Sequence, residues 1–294
     1  MEKIAFYIMN SKGWYVLSQF LEEFDPFNIA YIVSEQDINL KNDPYPQLEK
    51  LAKKYDIPFY KRAAFNVEVE NKFQGYKFAI GWRWLIKNQH NLIVFHDSLL
   101  PKYRGFSPLV NSLINGEKQG GVTALFADVK YDEGEIILQA STQFEYPITI
   151  ENAIQKIEPL YFDLVLQIYK ILGQGKLLTS LPQKHTDASF SLWLDTEDYF
   201  IDWSWSAEKI KRFIDSVGFP YDGAKSKLNG TVVIIEKAEV VKDVVVEHRD
   251  RHVGKVIFIE ESPVIVCTKG LLKLRKISDL GRQAMQINFR SKFC

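Results

Sequence analysis

The chain has 294 residues, 46% of them hydrophobic and 25% charged, with 37 basic and 37 acidic side chains that sum to zero net charge. That length suits a large domain plus a smaller one, and the composition excludes a disordered chain, while the charge balance gives no overall attraction to nucleic acid. No apolar run approaches the ~18 residues of a membrane span, and two cysteines, Cys267 and Cys294, suit a reducing cytoplasm better than a disulfide scaffold.

In chain order, Ile4–Met9 is a short apolar run that reads as a first strand and not as a signal peptide, because Asn10, Ser11 and Lys12 interrupt it and no small-residue cleavage site follows. An amphipathic helix is predicted over Trp14–Phe24, a strand over Ile29–Val33 and a helix over Pro46–Tyr55 with Leu48, Leu51 and Ala52 at core spacing. Further strands are predicted at Ile57–Tyr60, Phe78–Ile80 and Leu92–Phe95. This alternation implies a parallel Rossmann-like sheet with crossover helices, an α/β fold whose ligands bind beyond the carboxyl ends of the strands. The turn after the first strand reads IMNSKGWY and lacks both GxGxxG and a P-loop, so a nicotinamide site is not expected there.

A long amphipathic helix is predicted from Thr149 to Gly173, closing a first domain at 1–180, and the Gly-, Pro- and polar-rich stretch 181–196 reads as a linker. The remaining 197–294 should hold one helix, Trp205–Ser216, and short strands at Val232–Ile235, Val240–Val246, Val256–Ile259, Val264–Thr268 and Leu271–Leu274. Their spacing predicts a smaller antiparallel β-barrel of the OB type. His248 and His252 have the HxxxH spacing of a zinc pair, but they lie between β-like runs with no cysteine nearby, and a solvated turn is the better reading.

The chemistry concentrates at 92–105, LIVFHDSLLPKYRG. A buried strand stops at His96, and Pro101 and Gly105 force an irregular loop. If the extended conformation persists past His96, alternation along the strand puts Val94, His96 and Ser98 on one face. A histidine at the sheet's carboxyl edge suits proton transfer near neutral pH, or it is held structurally by a backbone group; position alone does not separate the two. Asp132, before Gly134, is by itself equally a turn residue.

HDSLLPKYRG is similar to the HxSLLPxYRG signature of the folate-dependent formyltransferases, and the resemblance continues at Gly121-Val122-Thr123, at Asp132-Glu133-Gly134, and in the second half at IDWSWSAEKIKRFIDS, at Pro220–Ala224 and at VGKVIFIEESPVIVCTKGLLKL. It covers essentially the whole chain. The resemblance implies 10-formyltetrahydrofolate as co-substrate, no metal, His96 and Asp132 as catalytic residues, and a cofactor site that includes Asp132 and the loop Trp82, Arg83 and Trp84. Either Trp could instead anchor its loop on the sheet. Ser98, Tyr103, Arg104, Gly105 and Asn111 are the expected substrate-side residues, Arg104 being equally able to fix the loop's bend.

One departure stands out. The family carries asparagine two residues before the histidine, as a donor to the formyl oxygen; here that place is Val94, which cannot donate. Such a donor is worth about 3–4 kcal/mol. Ser98 and Asn111 are candidate replacements, whereas Asn91 lies roughly 10 Å back along the strand. For the acceptor, the short, slightly acidic SEQDINLKNDPYPQ and the match of FHDSLLPKYRGFSPLVN to the amino-sugar branch favour a nucleotide-linked, UDP-type amino-dideoxy sugar, of the kind that serves pseudaminic-type surface glycans, over methionyl-tRNA. The last stretch leans basic (Lys269, Lys273, Arg275, Lys276, Arg282, Arg290, Lys292), which keeps a local nucleic-acid face open. A folate-deformylating hydrolase and a catalytically silent homologue are the readings from other classes, and a cytoplasmic homodimer is expected.

Overall fold

A computed structural model describes residues 3–279 and 287–294, so Arg282 lies outside the described residues. The chain divides into two compact units, one built from 1–109, 119–144 and 153–192, the other from 110–118, 145–152 and 193–294.

The first unit opens with β1 (Ile4–Ile8), α1 (Asn10–Glu23), β2 (Ile29–Ser34), α2 (Tyr45–Lys54), β3 (Phe59–Lys61), α3 (Val67–Lys72), β4 (Lys77–Ile80) and β5 (Leu92–His96). After β6 (Arg104–Gly105) and α4 (Pro108–Asn115) come β7 (Gln119–Phe126), β8 (Ile136–Gln143), α5 (Ile150–Gly173) and β9 (Phe190–Ser191). The seven-stranded sheet runs β3-β2-β1-β4-β5-β7-β8. Every residue of β1 and β4 is buried, as expected of central strands covered on both faces.

Strands β1 to β5 pair in parallel, while β7 and β8 join antiparallel. The sheet is therefore mixed, which alternation alone did not predict for the segment around Gly121-Val122-Thr123. The chain winds outward from β1 through β3 and then returns to β4, so the topological switch lies between β1 and β4. Along the rung Ile8–Ile80–Phe95 the three carboxyl ends stand side by side. Helix α1 begins earlier than its apolar pattern predicts, at Asn10, whose side-chain oxygen accepts the Lys12 amide at 3.1 Å.

In the second unit, α6 (Ala207–Val217) packs on a five-stranded antiparallel sheet ordered β10 (Ala224–Leu228), β11 (Thr231–Val241), β14 (Leu271–Asp279), β13 (Pro263–Val266) and β12 (Val256–Ile259). Residues 292–293 bridge back to Leu228 and to Lys255, so one terminal segment joins the sheet's two edges. The run predicted at Val232–Ile235 and only the start of the one predicted at Val240–Val246 form the single strand β11, and 242–246 lie outside any strand; the register shifts at Lys237 against β14, so the charged pair Glu236 and Lys237 marks a β-bulge. His248 and His252 flank and end a one-turn helix, α7 (Arg249–His252), with His248 in the left-handed region. No group of three metal-ligating side chains occurs among the described residues.

Candidate active site

His96 is the last residue of β5 and 7% exposed. Its Nε2 lies 2.7 Å from the Tyr103 carbonyl. A carbonyl only accepts, so Nε2 carries a proton. Nδ1 faces Asp132 Oδ1 at 3.5 Å. Asp132 stands at the tip of the β7–β8 turn with φ 55°, and its other oxygen accepts the Gly105 amide at 2.9 Å. Both ring nitrogens of His96 thus have defined neighbours, and the carboxylate lies on the side where a second imidazole proton would be stabilised by Coulomb attraction.

The loop between them is stapled at many points. Ser98 donates to the Lys102 carbonyl at 2.7 Å, which places its hydroxyl inside the loop. Thr123, the cross-strand partner of His96, donates to the Ser98 carbonyl at 2.6 Å and accepts from the Leu100 amide at 3.1 Å and from Gln139 at 2.8 Å. Tyr103 has φ 59° and its amide donates to Ser189 Oγ. Gly105 has φ 98°, and a Cβ there would meet the Ser191 carbonyl at 2.6 Å, so the approach of β9 requires glycine.

Arg104 is almost fully buried. Its Nε and Nη2 donate to Gln183 Oε1 at 3.0 and 2.7 Å, and Nη1 reaches His185 Nδ1 at 3.1 Å and Glu133 at 3.7 Å. Gln183 in turn donates to the carbonyls of Asp132 and Gly134, both at 2.8 Å. The two loops that carry His96 and Asp132 are thereby tied through one glutamine. The stretch 181–196, expected as a linker, contributes Gln183 and β9 to the first unit as far as Leu192. Nothing in the sequence marks Gln183, because it closes a contact nearly eighty positions from Arg104 and sits in a polar, aperiodic run.

On the His96 face of the sheet, Val94 packs with Trp82 and Ala127 against a cluster that includes Tyr7, Tyr31, Ala79 and Ile86. The Trp82 ring meets Tyr7 edge-on, with centroids 5.4 Å apart, and Trp84 at 5.3 Å. Trp82 Nε1 is buried with no hydrogen-bond partner among the described residues. Tyr7 donates to Glu70 at 2.8 Å, and burial pushes its hydroxyl far above the ordinary tyrosine range. Arg83 pairs with Asp37 at 2.8 Å, and the Arg62 guanidinium lies over the Trp84 ring at 4.4 Å. Trp82, Arg83 and Trp84 therefore lie together at the carboxyl end of β4, beside the end of β5. This edge-to-face aromatic cluster, with its orphan indole N–H, is of a kind that suits a flat heteroaromatic ligand with an acceptor edge. Asn111 is on α4 in the second unit.

Residues 60–162 match the family model described as formyl transferase, and 194–292 match the one described as formyl transferase, C-terminal domain. Among curated proteins, the methionyl-tRNA formyltransferase of Syntrophomonas wolfei is 32% identical over 198 residues, 67% of this chain and 62% of that protein. The enzyme of the same name from Alkaliphilus oremlandii is 31% identical over 203 residues, 68% of this chain and 63% of its own. The matched segment thus spans less than two thirds of these relatives. Among solved structures, WlaRD, a sugar 3N-formyl transferase determined with dTDP and 5-N-formyl-THF, aligns over 96% of this chain and 99% of its own with TM-score 0.66 at 18% identity. An N-formyltransferase from Helicobacter canadensis, in complex with folinic acid and dTDP-3-aminofucose, aligns over 93% and 99% with TM-score 0.68, also at 18% identity. At such identity the two structures establish a shared fold.

Proposed function

The chain belongs to the formyl transferase family, and from that premise we propose that it transfers a formyl group from 10-formyltetrahydrofolate to the amine of a nucleotide-linked amino-dideoxy sugar. The observation that carries the reaction class is His96, set at the carboxyl end of β5 with Asp132 at 3.5 Å from one ring nitrogen. When bound, the folate supplies an electrophilic formyl carbon. The amine nitrogen bonds to that carbon, the bond from carbon to the folate nitrogen breaks, and one proton passes from the amine to the departing nitrogen. A protonated His96 stabilises negative charge on the formyl oxygen, and Asp132 holds the imidazole in orientation. The loop 82–84 supplies the aromatic wall for the pterin.

Val94 contributes only packing at the place of the family's asparagine, and Ser98 spends its hydroxyl on Lys102. His96 therefore carries a larger share of the charge. A sugar acceptor is supported by the pairing of the basic stretch: Lys273 with Glu260 at 3.0 Å, Arg275 with Glu239 at 2.7 Å and Lys276 with Glu236 at 2.5 Å. Cations so matched offer few phosphate contacts. The two dTDP-bound structural relatives support a nucleotide sugar, while UDP as the carrier rests on sequence resemblance. The second reading, a methionyl-tRNA acceptor, is favoured by the names of the curated relatives.

A panel assay separates these. Purified protein is given 10-formyltetrahydrofolate with UDP- and dTDP-amino sugars or with charged initiator tRNA, and tetrahydrofolate release is followed. Release only with a sugar amine supports the proposal, release only with tRNA supports the second reading, and acceptor-independent release identifies a hydrolase.

A further inference from the structure

Behind His96, on the other side of the strand, lies a second set of charges that the reaction as described does not use. Lys12, in the first turn of α1, is 8% exposed, and its ammonium is paired with Asp97, the residue that follows His96. The other Asp97 oxygen accepts the hydroxyl of Tyr161 from α5, a side chain 1% exposed. Phe95 lies against Tyr161 at 6.2 Å between ring centroids, which places Phe95 and Asp97 on the α5 face and His96 on the opposite one. Glu158, one turn before Tyr161, bonds to Ser11 and also feels the Lys12 charge; burial raises its carboxyl above the usual range.

A buried lysine is costly, and an aliphatic side chain would fill the same space. What an aliphatic chain could not do is cancel the charge on Asp97. Among the described residues, the groups placed at the His96 ring are Asp132 from the β7–β8 turn and the Tyr103 carbonyl from its own loop; Thr123, its cross-strand partner on β7, spends its hydroxyl on Ser98. Arg104 and Glu133, the next charges along those loops, are joined to each other and to Gln183 and His185. Were Lys12 absent, Asp97, the residue that follows His96, would be a second unneutralised carboxylate beside Asp132.

We propose that Lys12 is a positioning residue for the formyl-transfer centre: its ammonium, with the Tyr161 hydroxyl, pins Asp97 and cancels its charge, so that Asp132 is left as the carboxylate that acts on His96. The inference rests on His96 being the reacting histidine, but its physical content is a charge coupling that is measurable without turnover.

The test is a titration of the His96 imidazole by NMR, its resonance assigned by loss in His96→Asn, in four proteins: native, Lys12→Met, Asp97→Asn and the double variant. In Lys12→Met an uncompensated carboxylate favours imidazolium, and the midpoint rises by about one pH unit. In Asp97→Asn the lone ammonium lowers it by a similar amount, and the double variant returns to the native midpoint. Lys12→Arg, which keeps the charge, titrates as native. Should Lys12→Met not fold, the downward shift in Asp97→Asn decides. Folded variants with the native midpoint overturn the proposal. Coupling present in a protein that formylates no amine leaves this inference standing and removes only the assigned reaction.

Discussion

Two groups of charged side chains in this chain are alike in composition and opposite in how they are held. In the first unit, His96, Arg104 and Asp132 have side chains 7%, 2% and 13% exposed and meet partners from distant loops. In the second, Lys276 and Arg275 are 66% and 34% exposed and pair with carboxylates across neighbouring strands. Exposed pairs are screened and worth little, whereas buried ones persist only when every lone pair and proton is matched. The difference teaches where to look for function: in the set whose burial costs most and whose geometry is over-determined.

The comparison breaks first at His96. His96→Asn should lower kcat by roughly 10²- to 10⁴-fold with folate affinity little changed, measured by steady-state turnover and ligand titration. A variant near the native rate removes His96 from the mechanism. Next in size, Arg104→Met strands Gln183 and Glu133 in the loop and should cost about 3–5 kcal/mol by denaturant unfolding; a loss under about 1 kcal/mol would mean that the loops are held some other way. Asp132→Asn keeps the shape and removes the charge, for a kcat loss of roughly 10- to 10²-fold without loss of stability.

Val94→Asn restores a donor on the His96 face. Turnover should rise by up to about tenfold, at a modest cost in stability from burying an amide. A fall in turnover with the fold intact would show that the apolar packing against Trp82 matters more than a donor. The smallest effect is expected at the other end of the comparison: Lys276→Gln should change stability by less than about 0.5 kcal/mol in an unfolding titration. It should leave turnover untouched, and a larger change would put the second unit's cations into the account.

How much of this was legible in the sequence follows from the range of each interaction. The strand that ends at His96, the glycine-bounded turn at Asp132 and the parallel half of the sheet are written in local pattern, and the fold class and formyl transferase resemblance follow from them. The bulge at Lys237 was not, because a charged pair inside a strand and a charged turn look the same until the register with β14 is known. Gln183, Lys12 and Tyr161 were missed for a related reason. Each acts through a side chain that meets its partner far along the chain, and Gln183 sits in a run with no periodicity to read. Ser98 shows the limit of strand alternation, since β5 ends at His96 and the Ser98 hydroxyl turns to the Lys102 carbonyl within the loop.

The most direct measurement is the mass of an amino sugar after incubation with the protein and 10-formyltetrahydrofolate. The account predicts that a nucleotide-linked amino sugar gains one formyl group on its amine, with one tetrahydrofolate released for each. Native, folded protein that binds the folate and formylates no sugar amine across the UDP- and dTDP-linked panel would contradict it.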